Sequence, residues 1–201
     1  LPRALKRASA VSAVSQSMAD EICQQYGLPP DRVHVVHHGV DPMFCLQSPA
    51  AIAPVLASYG LRAGEYLLSI ATLEPRKNLQ RLIDAYMALP VRRRQRLPLV
   101  LAGAPGWRNR ALRERIDRLV CAGELRYLGY IPCEHRPALY AGARAFAYPA
   151  LYEGFGLPPL EAMACGTPVL TSDCSAMPEV AGEAALTVNP RDVEAIREAL
   201  Q

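Results

Sequence analysis

The sequence predicts an α/β fold, a doubly wound, Rossmann-like parallel sheet. Three observations predict it. Strand-length apolar runs alternate with helix-length segments whose apolar residues recur every three or four positions. The runs 97–102 and 143–149 are mostly apolar instead of alternating, as strands covered on both faces must be. The connections are short and carry glycine or proline.

In chain order, 8–15 reads as a short strand and 16–26 as a helix closed by Gly27. A β-branched strand follows at 33–37, then a helix at 50–59 and a strand at 66–71. The helix at 78–88 places Leu79, Leu82, Ile83 and Tyr86 on one face. After the strand 97–102, the helix 110–121 turns Leu112, Ile116, Leu119 and Val120 inward and its arginines outward. A strand at 125–128, a short helix at 136–141 and the strand 143–149 lead to a turn with two glycines. Pro158 and Pro159 open the next helix, whose body is 160–165 and whose expected cap is Gly166. Strand 169–171, a helical turn at 178–181, strand 185–188 and a helix over 192–200 complete the alternation. That last helix is expected to be cut short by the chain end.

With 201 residues the chain can bury a substantial core in one or two domains. The net charge of +3 is mild and its signs are interspersed, so no nucleic-acid partner is expected. The densest basic run, Arg92-Arg93-Arg94-Gln95-Arg96, reads as a solvated loop. No apolar stretch nears the roughly 20 residues that span a bilayer, and Leu1-Pro2-Arg3 does not lead into a signal-like apolar core. Six cysteines (Cys23, Cys45, Cys121, Cys133, Cys165, Cys174) lack Cys-x-x-Cys spacing. They read mostly as buried free thiols of a reducing, cytoplasmic compartment. No metal is expected, since His37 and His38 have no third ligand nearby.

The chemistry concentrates after the strand 143–149. There Gly154, Phe155, Gly156 and Leu157 lie at the positive end of a helix, where free backbone N–H groups suit a phosphate or a sugar oxygen. Glu153 precedes this turn and Glu161 lies about one turn inside the helix. A second strand end carries Thr72-Leu73-Glu74-Pro75-Arg76-Lys77-Asn78, whose adjacent cations can neutralise a pyrophosphate. Both lie where ligands of doubly wound sheets bind, beyond the carboxyl ends of strands. The segment 102–106 is glycine-rich but lacks the dinucleotide fingerprint. Trp107 reads as a packing residue.

The stretch 148–168, with its Glu-Gly-Phe-Gly core and Glu-Ala-Met-Ala-x-Gly-x-Pro tail, resembles the Glu-x7-Glu signature of retaining GT-B glycosyltransferases, the glycosyl transferases group 1 family. The segment His38-Gly39-Val40-Asp41 resembles the crossover between that family's two domains, with histidine in place of asparagine. Residues 72–78 resemble its basic motif, with Lys77 on the motif lysine. Thr72 stands where the motif has arginine, so Arg76 is the nearest substitute. This variant is similar to bacterial mannosyl- and rhamnosyltransferases of surface-polysaccharide assembly. The resemblance implies the C-terminal half of a GT-B enzyme: residues 1–42 a remnant of the acceptor domain with its crossover, residues 43–201 the donor-binding domain, truncated at its end.

The resemblance also implies roles. Glu153 would contact the donor sugar and Glu161 the ribose, while Ile131 would lie against the base. Arg76, Lys77 and the 154–157 backbone would hold the diphosphate. Glu153, Arg76 and Lys77 are thus the catalytic candidates. The donor would be a nucleotide-sugar, GDP-mannose favoured, without metal or cofactor. The acceptor would be a glycan or lipid-linked saccharide reached through the absent first domain, and the fragment alone would be inactive. The whole enzyme would be cytoplasmic, with peripheral contact at the inner face of the plasma membrane. The alternatives are a non-catalytic nucleotide-sugar-binding module and a Rossmann oxidoreductase. A glycoside hydrolase using both glutamates as acid and base is set aside, because one faces the diphosphate side and the other the ribose.

Overall fold

The computed structural model describes residues 2–107 and 109–201. Helix α1 (Pro2–Arg7), an element the sequence reading lacks, precedes strand β1 (Val11–Ala13). Helix α2 (Gln16–Tyr26) follows; the Ser15 hydroxyl accepts from the Met18 N–H at its start, and Gly27 in the left-handed region ends it. Strand β2 (Val33–Val35) returns parallel to β1. These elements enclose a small core of Ala13, Ala19, Leu28 and Val33.

The remaining strands form one six-stranded sheet. They are β3 (Leu67–Ile70), β4 (Leu99–Ala102), β5 (Arg126–Tyr127), β6 (Ala145–Tyr148), β7 (Val169–Ser172) and β8 (Leu186–Val188). Their order is β5-β4-β3-β6-β7-β8, and every neighbouring pair is parallel. Winding runs outward from β3 through β4 to β5, then restarts at β6 on the other side. The switch of direction therefore lies between β3 and β6, and a crevice opens beyond their carboxyl ends.

The helices are α3 (Pro49–Ser58), α4 (Leu79–Met87), α5 (Val91–Arg96), α6 (Arg110–Cys121), α7 (Arg136–Gly142), α8 (Leu157–Ala164), α9 (Met177–Ala181) and α10 (Val193–Ala199). α7 packs between α3 and α8, and α4 packs on α10. The face of α4 carrying Leu79, Leu82, Ile83 and Tyr86 is fully buried, as its 3.6-residue period requires. All four residues of β3, β4 and β7 are buried.

Four local readings are corrected. The arginine run is the helix α5, because Arg94 turns inward, donates to the Leu89 carbonyl and pairs with Glu124. Val120 faces solvent; only Ile116 of α6 is fully enclosed, so the inward stripe is narrower than expected. Trp107 is largely exposed, since it stands in a loop beyond β4 rather than under a helix. Among the six free cysteines only Cys165 is buried, and Cys45, Cys121 and Cys133 are exposed on loops or helix ends.

Candidate functional site

Both motif segments emerge at the switch. After β3, the chain makes a 3-10 turn at Pro75–Lys77 that Asn78 ends in the left-handed region, with φ 59°. After β6 it runs through Pro149 to the glutamate turn. The Asn78 side-chain amide ties the two together, donating to the Pro149 carbonyl at 2.8 Å and to the Pro190 carbonyl at 2.6 Å. The Leu151 N–H donates to the Arg76 carbonyl at 2.8 Å. Ser175 clamps the backbone of Glu153 from the far side, donating to its carbonyl at 2.5 Å and accepting from its N–H at 3.1 Å. Four stretches, 76–78, 149–153, Ser175 and Pro190, thus fix the backbone that carries Glu153.

That carboxylate is where the basic motif ends. Lys77 Nζ lies 2.6 Å, Arg76 Nη1 2.9 Å and Tyr148 Oη 3.0 Å from the same Glu153 Oε1. Lys77 also donates to Tyr148 Oη at 2.5 Å, and Arg76 Nε donates to Glu74 at 3.0 Å. Lys77, Tyr148 and Glu153 are buried. Burial and the adjoining Glu153 carboxylate push the Tyr148 phenol well above its ordinary range, which keeps it a donor. Two cations thus meet one carboxylate oxygen, and Glu74 balances the outer of the two. The two cations expected on the diphosphate and the glutamate expected on the sugar are therefore one bonded cluster.

The glutamate turn is shaped by what surrounds it. Gly156 has φ 114°, and a Cβ there would sit 2.1 Å from the Met177 methyl, so both backbone and space demand glycine. A Cβ on Gly154 would meet the Met18 methyl at 2.3 Å. Its carbonyl accepts from Ser15 at 2.7 Å. Phe155 turns away from the crevice and packs its ring on His37 and His38, with centroids 5.8 and 5.3 Å apart. Among the described residues, no protein acceptor takes the N–H groups of 154–157. Helix α8 begins at Leu157, which is partly exposed, and its prolines occupy the second and third positions. Glu161 is half-buried and accepts from Tyr140 Oη at 2.9 Å. Burial raises its carboxyl, against the opposing pull of the Tyr140 hydrogen bond and the Arg136 charge.

A cleft of about 230 Å³ opens beside the cluster. It is lined by Thr72 and Lys77 on one side, Tyr130, Ile131 and Arg136 on another, and Tyr148 beneath. A larger cavity of about 520 Å³, edged by Arg93, Arg96 and Arg144, lies before β3 and β6, at the end of the sheet away from the switch. The smaller one is the candidate site because both motif segments reach it. The sequence assigns no site role to Tyr148, Asn78, Ser175 or Arg136, although Tyr148 and Asn78 stand in the two motif stretches, one at a strand end and the other at a helix start. Among the described residues no group of three or more His, Cys, Asp or Glu could hold a metal ion.

The family described as glycosyl transferases group 1 matches residues 60–201, and that described as glycosyltransferase family 4 matches residues 1–44. The chain belongs to the glycosyl transferases group 1 family. It is 44% identical over 196 residues to O-antigen chain mannosyltransferase B of Escherichia coli, covering 98% of this chain and 51% of that protein. It is 38% identical over 200 residues to the serotype-specific mannosyltransferase WbdA of Escherichia coli, covering 98% of this chain and 24% of that one. The chain thus spans about half of the first relative and a quarter of the second. Its fold superposes with a TM-score of 0.84 on Anabaena Alr3699/HepE, solved in complex with UDP and glucose, at 24% identity over 98% of this chain and 54% of that one. WaaG, a glycosyltransferase involved in lipopolysaccharide biosynthesis, gives a TM-score of 0.79 at 21% identity, covering 98% and 57%. The fold is that of the GT-B glycosyltransferases. No described helix is long and apolar enough to cross a membrane.

Proposed function

We propose that this chain is the donor-binding part of a retaining mannosyltransferase that uses a nucleoside-diphosphate mannose, with GDP-mannose as the favoured donor. The observation that carries the reading is the convergence of Lys77, Arg76 and Tyr148 on Glu153 at the switch point, beside the Ile131 cleft. Its relatives' names supply the sugar: O-antigen chain mannosyltransferase B and WbdA are mannosyltransferases. Residues 43–201 form the donor domain in this reading, and residues 1–42 close an acceptor domain that receives a glycan or lipid-linked saccharide.

In this proposal the base lies against Ile131, and Glu161 takes the ribose hydroxyls with the oxygen that Tyr140 leaves available. The diphosphate sits on the 154–157 N–H groups and draws Lys77 and Arg76 partly away from Glu153, freeing its carboxylate for sugar hydroxyls. As the bond from the anomeric carbon to the diphosphate breaks, its electron pair stays on the phosphate oxygen. Lys77 and Arg76, once turned onto the diphosphate on binding, stabilise that developing charge, so no metal is invoked. Thr72 supplies no charge, and Arg76 takes the place of the motif arginine.

Calorimetric titration of this chain with GDP-mannose, GDP and mannose tests the proposal. GDP-mannose and GDP should bind, mannose alone should not, and the chain should transfer no sugar by itself because transfer needs a positioned acceptor. Failure of every nucleoside diphosphate to bind would overturn the donor reading.

A further inference from the structure

We propose that Arg136 is the base-selecting residue of the cleft, donating through its guanidinium fork to the O6 and N7 acceptors of a guanine. The inference rests on the donor-site reading above and adds to it the reason for one base.

Arg136 opens α7, five residues beyond Ile131, and its side chain lines the cleft with Tyr130 and Ile131. Its Nε is buried, yet no hydrogen-bond partner meets it, and Arg136 forms no ion pair among the described residues. An unpaired buried donor is costly, and folded proteins retain few of them. Arg76 and Lys77, by contrast, are already engaged on Glu153. The cluster at the phosphate end is thus satisfied in the unliganded chain, whereas Arg136 waits for an acceptor. Its charge also reaches Glu161 and Tyr140, which places it toward the ribose and base end of the cleft.

Chemistry then selects the base. A guanidinium presents a planar fork of N–H donors and cannot accept. Guanine offers two adjacent acceptors, N7 and O6, on one edge; adenine replaces the second with an amino donor. Uracil's two carbonyls are separated by the N3–H donor. Of these three bases only guanine sets two adjacent acceptors against both arms of the fork.

The test compares GDP, 7-deaza-GDP and UDP binding to this chain and to Arg136→Met, which keeps the aliphatic stem. The unsubstituted chain should bind GDP about tenfold or more tighter than 7-deaza-GDP or UDP, the scale of one bidentate base contact. Arg136→Met should lose that preference and bind all three alike, with a melting temperature without nucleotide at or above that of the unsubstituted chain. A variant that keeps the preference for GDP overturns the proposal. Should Arg136→Met not fold, the 7-deaza comparison on the unsubstituted chain decides, and equal affinities overturn it. Binding of GDP, 7-deaza-GDP and UDP with equal strength defeats base selection alone, whereas binding of none defeats the donor reading as well.

Discussion

Glu153 shows why a motif residue cannot be read apart from its neighbours. Its side chain is buried and carries the lone pairs that three donors share, so Lys77, Arg76 and Tyr148 hold it in the folded chain. Removing one partner of a buried pair costs about 3–5 kcal/mol when the other charge is left uncompensated. Lys77→Met leaves Glu153 with Tyr148 and the half-exposed Arg76, so it should lower the unfolding free energy by less than about 3 kcal/mol, and the added change Glu153→Gln should restore much of it. Denaturant unfolding of both single variants and the double variant measures the coupling. Purely additive losses would separate the two residues. Glu161 makes the opposite case. Its folded carboxyl is raised, so its contribution to stability is present below the ordinary glutamate range and is lost as pH rises through the raised value. Glu161→Gln removes that burial cost, and the amide oxygen still accepts from Tyr140. The variant should melt higher than the parent near neutral pH, with the gain shrinking as pH falls toward 4.5, the ordinary value for Glu161. In calorimetry it should also lose affinity for GDP while leaving 2′,3′-dideoxy-GDP nearly unchanged. Equal losses for both nucleotides would remove Glu161 from the ribose.

At the scale of elements, α2 meets α9 and the turn before α8 through a few specific contacts. Glu179 of α9 accepts from the N–H groups of Gln16 at 2.8 Å and Ser17 at 3.2 Å, at the start of α2, and from His37 at 2.7 Å. Burial raises its carboxyl, but those three donors outweigh it and leave the group below its ordinary value. Its stabilising contribution is therefore present above the ordinary value and lost as pH falls through the lowered one. Tyr152 adds a hydrogen bond to Glu21 at 2.5 Å. Glu179→Ala should loosen the first turn of α2, by about 1 kcal/mol as for a lost helix cap. Amide hydrogen exchange should show faster exchange at Gln16 and Ser17 with β3 and β4 unchanged. Exchange rising equally in the central sheet would assign Glu179 to global stability instead. Periodicity made α2, α4 and α6 legible to within about a residue, because each hides one face in a core. It missed α5, whose arginines carry no apolar stripe and whose helical form depends on Arg94 reaching Glu124.

For the molecule as a whole, the two cores are unequal. The large one runs from Phe44 to Leu200, whereas among the described residues the small one buries Ala13, Ala19, Leu28 and Val33. So few apolar side chains cannot offset the ordering of some forty residues. A chain of residues 43–201 should fold alone with a cooperative thermal transition in circular dichroism, and residues 1–42 should not. A structured isolated 1–42 peptide would contradict this account. Nucleotide binding should also raise the melting temperature of the whole chain in proportion to the logarithm of ligand concentration.

The sequence by itself determined the alternation of strands and helices, the burial of β3 and β4, and the segments that carry charge at strand ends. These are local facts: each follows from a residue's neighbours within a turn or a strand. Only the tertiary structure decided that Lys77, Arg76 and Tyr148 share one oxygen of Glu153, that Phe155 turns onto His37 and His38, and that the buried Nε of Arg136 meets no partner. The first depends on β3 and β6 lying side by side at the switch of winding. Lys77 and Arg76 reach Glu153 from 76 and 77 positions away along the chain, and spacing within a motif carries no record of such partners.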